Sequence, residues 1–140
     1  MLGSSAQARP GSDTSSASVV ADLDGDGRPD HVSLDVVGDR VVLKMSIAGR
    51  KQAQAESFAK RDFGCSPVTW KETCPGERGV MRAVAVDSAF RKDFALMFDL
   101  EAAHLSSRKG AHVVVIPLAG TDPFWVYWDP TINGVAWTRL

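Results

Sequence analysis

Histidine, tyrosine and cysteine are scarce in this 140-residue chain, with three, one and two copies. That scarcity narrows the chemistry it can perform. No serine sits in a G-x-S-x-G elbow, no phosphate-cradling Walker loop occurs, and no H-E-x-x-H pair offers a catalytic metal. His31, His104 and His112 stand apart in sequence with no evident carboxylate partner, so they read as structural or surface residues and the chain as a non-enzyme. Charge of one sign is also lacking. Formal net charge is −1, from 16 basic and 17 acidic residues, and the basic ones are scattered rather than striped. Nucleic acid, which needs a basic footprint, is excluded as a partner. No run approaches the ~18 consecutive apolar residues that a transmembrane helix requires.

What remains is the composition of an ordinary globular domain, 44% hydrophobic and 24% charged, with a length suited to one core. Residues 1–18 (MLGSSAQARPGSDTSSAS) are rich in Ser, Gly and Ala and show no apolar periodicity, so they read as a flexible leader preceding a single domain over 19–140. Two compartments fit such a leader. A cytoplasmic protein with a frayed start is one. The favoured one is an exported protein, periplasmic or secreted, whose export signal has been cut off and whose Ser/Ala tract is the spacer that lipid-anchored and secreted domains often carry.

Cysteine usage points the same way. Cys65 and Cys74 flank eight residues in a Pro/Gly-punctuated stretch, and a disulfide between them would stabilise the fold by roughly 2.5–3 kcal/mol in the chain-entropy account. Two buried free thiols are the alternative. Zinc is disfavoured, because there is no short C-x-x-C spacing and no neighbouring His.

Aspartate outnumbers glutamate, 13 to four, which favours turns, caps and metal ligands over helices. The richest segment runs Asp22-Leu23-Asp24-Gly25-Asp26-Gly27-Arg28-Pro29-Asp30. It places carboxylates at relative positions 1, 3, 5 and 9, glycines where a tight loop needs positive φ, and a backbone carbonyl at Arg28. Hard oxygen donors in that number predict Ca²⁺ rather than zinc, copper or Mg²⁺. The bland alternative is a solvated acidic turn between strands. An EF-hand is excluded, because position 12 is Ser33 rather than Glu and both flanks read as strands.

Val20 to Val32 (VADLDGDGRPDHV) resembles the Asp-rich calcium loop of FG-GAP and VCBS-type repeats of exported bacterial proteins. The resemblance implies a loop joining two antiparallel strands, with Ca²⁺ held by Asp22, Asp24, Asp26, Asp30 and the Arg28 carbonyl. It covers some 13 residues and occurs once, where a propeller needs several blades. Without a bidentate Glu, affinity is expected in the roughly 10⁻⁵–10⁻³ M range.

The rest predicts a mainly β, β-rich α+β domain of antiparallel meander sheets with one or two short helices. Residues 31–37 and 40–47 form a hairpin about Gly38-Asp39, and 50–61 a short helix. Residues 79–86 and 94–100 form a second hairpin about a polar turn at 87–93, and 112–118 (HVVVIPL) a central strand covered on both faces. Phe124 to Trp128 form one arm of an aromatic hairpin, either buried on both sides or offering one face for binding.

The leading functional expectation is a non-enzymatic, calcium-stabilised exported module that binds another protein. Its outline is similar to small periplasmic lipoproteins that inhibit lysozymes or confer immunity to cell-wall hydrolases. Such a role would present the loop at 64–76, with Trp70 as an anchor, or the turn at 129–134. The alternative is a carbohydrate-binding or hydrolytic domain using Trp125, Tyr127 and Trp137 as a platform.

Overall fold

The computed structural model describes residues 15–63, 81–118 and 121–139. Eight strands form two four-stranded antiparallel meanders: β1 (Ser15–Ala21), β2 (Asp30–Val37), β3 (Arg40–Ser46) and β4 (Gln54–Ala59) in one, β5 (Arg82–Ala85), β6 (His112–Leu118), β7 (Thr121–Asp129) and β8 (Gly134–Thr138) in the other. Among the described residues one α-helix, α1 (Ser88–Met97), links β5 towards β6, followed by a 3-10 turn at Ala102–His104. The mainly β, meander architecture is as the sequence predicts, and β1 takes in Ser15–Ser18, which the sequence assigns to the leader.

Strict alternation builds the first sheet. Val32, Leu34 and Val36 of β2 face inward and lie opposite Met45, Leu43 and Val41 of β3, while His31, Ser33, Asp35 and Lys44 take the outer face. A one-residue slip would turn every apolar side chain of either strand to solvent, so the pattern fixes the register. The inward residues meet Val114 and Ile116 of β6, Phe124, Val126 and Trp128 of β7, and Val135 of β8 in one core between the sheets.

The second sheet is buried on its other face too. Val113 and Tyr127 join Phe94 of α1 and Leu105 in a smaller cluster, with Phe90, Phe98 and Trp125 packed against it. The molecule is therefore three layers, sheet on sheet on helix. This double covering explains why residues 112–118 read as a nearly unbroken apolar run. Among the described residues, no helix is long and apolar enough to cross a membrane.

Two local expectations are corrected. Residues 54–59 form β4, not a helix, although Ala, Gln and Glu dominate that stretch. Pairing decides it: β4 completes the edge of β3 and sets Phe58 opposite Val41, where its ring meets Phe124 at 5.5 Å and Trp137 at 5.2 Å. The Gln54 amide also bridges to the second sheet, donating to the Val135 carbonyl (3.1 Å) and accepting from the Val135 N–H (2.7 Å). These tertiary bonds outweigh a helix preference of a few tenths of a kcal/mol per residue.

Residues 87–97 are the second correction, a capped helix rather than a turn between strands. Asp87 adopts an extended N-cap conformation and its carboxylate accepts from the Phe90 N–H at 2.7 Å. Phe90, Phe94 and Phe98 recur every four residues, so their rings share one face, with centroids 5.5 and 4.7 Å apart. That face docks on Trp125 and Tyr127.

Candidate metal centre

The acidic loop joins the paired ends of β1 and β2, where Ala21 lies opposite Asp30. Its aspartates divide the work. Asp22 organises the turn: one carboxylate oxygen accepts from the N–H groups of Gly25 (2.9 Å) and Asp26 (3.2 Å), and the other from Gly27 (2.8 Å). Gly25 and Gly27, at φ of 76° and 86°, supply the left-handed backbone that curls the chain around that carboxylate.

Asp30 is 0% exposed and ties the loop to the first sheet. Its two oxygens accept from the Leu23 N–H at 2.7 Å and the Ala48 N–H at 2.9 Å. Leu23 itself is fully buried in the core, and the Asp22 carbonyl accepts from the His112 N–H (2.8 Å) at the start of β6. The loop is thus stitched to both sheets.

Carboxylate oxygens of Asp22, Asp24 and Asp30 all lie within 4.8 Å of one another. Three acids so close repel, and burial followed by the charge of Asp30 pushes the Asp24 carboxyl from 3.8 up to about 6. A cation among them would relieve that repulsion, and each carboxylate retains lone pairs beyond those its amide partners use. The triad is able to hold a metal ion.

Asp26 does not join the triad. Its oxygens take the Arg28 backbone N–H (2.9 Å) and Arg28 Nε (3.0 Å) instead. The Arg28 backbone donor, helped by its guanidinium, holds the Asp26 carboxyl below its ordinary value against the opposing effect of desolvation. Arg28 is exposed, and its guanidinium lies over Gly49, where an added Cβ would come within 2.8 Å of it.

Of the aromatic residues singled out in the sequence, Tyr127 is 5% exposed and Trp125 half-buried, both against α1. Trp137 lies on the opposite face of the second sheet, stacked on Phe124 at 5.1 Å and 38% exposed. The three therefore form no common row. Trp70 and the Cys65–Cys74 pair lie outside the described residues.

A second polar cluster escaped the sequence reading. His104 Nδ1 lies 2.8 Å from Asp129 Oδ2 and 3.2 Å from Thr131 Oγ1. Asp129 Oδ1 accepts from the Thr131 hydroxyl (2.7 Å) and its backbone N–H (2.9 Å), an Asx turn that closes the β7–β8 connection. The Asp129-Pro130-Thr131 spacing was a local signal for that turn. Its histidine partner, 25 residues earlier, was not. Burial opposes ionisation of Asp129, but the Thr131 hydroxyl, His104 and the Thr131 N–H outweigh it and set its carboxyl below the ordinary value.

These two acids predict a stability profile with a maximum in metal-free protein. The folded state holds the Asp24 proton more tightly than the unfolded chain, so its contribution is complete below the ordinary carboxylate value and is lost as pH rises through about 6. Asp129 acts oppositely, contributing above the ordinary value and losing its contribution as pH falls through its lower folded-state value. Urea midpoints measured in chelator across the acidic range should peak between these limits. Asp24→Asn should flatten the upper limb alone; an unchanged limb would show that Asp24 is not the group responsible.

No match emerges when the chain is compared with protein-family models, with curated proteins or with solved structures.

Proposed function

We propose that the protein is a calcium-stabilised, non-catalytic interaction module of an exported compartment, with another protein as its partner. The observation that carries the cation reading is the convergence of Asp22, Asp24 and Asp30 on one point at the junction of both sheets. Their donors are all carboxylate oxygens, the set that a hard cation of Ca²⁺ size prefers, and the loop joins antiparallel strands as its resemblance to FG-GAP and VCBS-type loops implies. Asp26 and the Arg28 carbonyl complete the ligand set in that reading, which asks Asp26 to exchange Arg28 for the ion. Bound calcium supplies charge neutralisation and cross-links the loop.

Modest affinity suits a calcium-rich exterior, and the ion then acts structurally. At free calcium about 100 times the dissociation constant, the native state gains roughly 2.7 kcal/mol. Thermal melts of chelator-treated protein with added CaCl₂ or MgCl₂ test this directly. A rise in Tm with calcium, larger than with magnesium, is expected; melts indifferent to both ions would remove the basis of the proposal.

The partner we propose is a cell-wall hydrolase, on the outline of small periplasmic inhibitors and immunity proteins. The β7–β8 turn, braced by Asp129 and Thr131 with Ile132 exposed at its tip, is a rigid projection of the kind that enters a cleft. Lysis of peptidoglycan by a panel of hydrolases, followed with and without the protein, should be slowed for at least one member. Unchanged lysis throughout would count against this partner while leaving the cation reading intact.

A further inference from the structure

Beside the acidic loop, the end of the sandwich holds a cleft of about 290 Å³ that the proposed function leaves unused. Its walls include Arg50, Arg108, Ser106, Trp128, Asn133 and Asp24. Among the described residues, neither guanidinium forms an ion pair. Two arginines line one small space, and with neither in an ion pair their charge leaves an attraction for an anion.

Both arginines are held. The Arg50 guanidinium lies over the Trp128 ring, 4.9 Å from its centroid, so the face of the group is occupied and its in-plane N–H donors remain available. The Arg108 stem packs on the loop backbone at Gly25, so closely that an added Cβ there would fall 2.5 Å from Arg108 Cβ. Ser106 is 5% exposed; its hydroxyl oxygen accepts from the Arg108 N–H at 3.2 Å, leaving its hydrogen to donate. Asn133 also lines the cleft and carries a side-chain amide able to donate.

We propose that this cleft is a binding site for a carboxylate on a ligand no larger than about one amino-acid residue. A guanidinium held on an indole ring presents its donors in one plane, which matches the two coplanar oxygens of a carboxylate. The volume lies at the lower end of the ~300–1,000 Å³ range of ligand pockets, which limits the body of the ligand. Asp24 is the one acidic wall residue, and its charge works against the anion. The cleft shares Asp24 with the proposed cation site, and metal-free protein separates the two readings.

Calorimetric titration of the full chain in chelator tests it with four probes: N-acetylglutamate N-methylamide for a side-chain carboxylate, N-acetylalanine for a terminal one, N-acetylglutamine N-methylamide as neutral twin, and inorganic phosphate. One or both carboxylates should bind, and whichever binds more tightly identifies the source; the neutral twin should not bind. Arg50→Lys and Arg108→Gln, both with wild-type melts, should each weaken that binding roughly ten- to hundredfold, and Asp24→Asn should strengthen it. Retention of affinity in Arg50→Lys would refute the planar contact. Phosphate binding above both carboxylates, or no binding by any probe, would overturn the proposal and leave the arginines as counter-charges to the acidic loop. Because no metal is present, failure here is distinct from failure of the calcium reading.

Discussion

Replacing Asp30 with alanine is expected to lower the unfolding free energy by about 3–5 kcal/mol, as two donors, one buried and one part-buried, lose a charged acceptor. The carboxylate is wholly buried and both its oxygens are used, one on the Leu23 N–H and one on the Ala48 N–H. At the buried Leu23 N–H, water has no access to take the carboxylate's place. The loss also reaches beyond the loop, since Ala48 belongs to the β3–β4 connection and Leu23 is a core residue. Urea unfolding should show a lower midpoint with an unchanged slope, because the surface exposed on unfolding is the same. Asp26→Ala is the matched control: it is the neighbouring acid of the same motif, but its partners are an exposed guanidinium and an exposed N–H, so its midpoint should barely move. The two variants should also separate in calcium. Asp26→Ala, which removes one ligand but leaves the triad, should keep a reduced calcium-dependent rise in Tm, and Asp30→Ala should lose it. Equal, small effects of both would mean that Asp30 does not organise the loop.

That contrast marks how far the sequence could be read. The spacing of Asp22, Asp24, Asp26 and Asp30, with glycines between, is local, and the loop and its flanking strands form where the spacing places them. Which acids converge depends on groups elsewhere in the fold. Asp30 is drawn inward by an N–H 18 residues later, and Asp26 is turned outward by Arg28, whose two donors compete with any central ion. Position in a motif carries no information about such competition.

The same division applies to the scaffold. The hairpin of β2 and β3 and the buried β6 were legible because alternation and a continuous apolar run report burial directly. Helix α1 was legible in principle, since Phe90, Phe94 and Phe98 with Asp87 at the cap form a 3.6-residue pattern, but the polar residues between them resemble a turn. In β4 the local preference pointed to the wrong element, because its conformation is set by the open edge of β3 and by Val135. The cleft was not legible at all. Arg50 and Arg108 lie on connections from different sheets, and only the stacking of those sheets brings them together.

Phe94→Ala is expected to cost about 3–5 kcal/mol, the range for truncating a buried aromatic. Phe94 is 1% exposed and the one fully buried residue of α1, with its ring 4.7–5.6 Å from those of Phe90, Phe98, Trp125 and Tyr127. A ten-residue helix is too short to persist in water on its own, so its stability comes from this docking. Removing the ring should therefore loosen the whole helix, expose Trp125 and Tyr127, and red-shift tryptophan emission before global unfolding. Leu96→Ala, at a position 75% exposed, should leave both stability and emission near wild type. The pair bears on function as well as on folding. If Phe94→Ala were as benign as Leu96→Ala, α1 would not be covering the second sheet, and the aromatic strand β7 would be free to act as a binding face. A large loss commits those rings to the interior and leaves recognition to the loops at the ends of the sandwich.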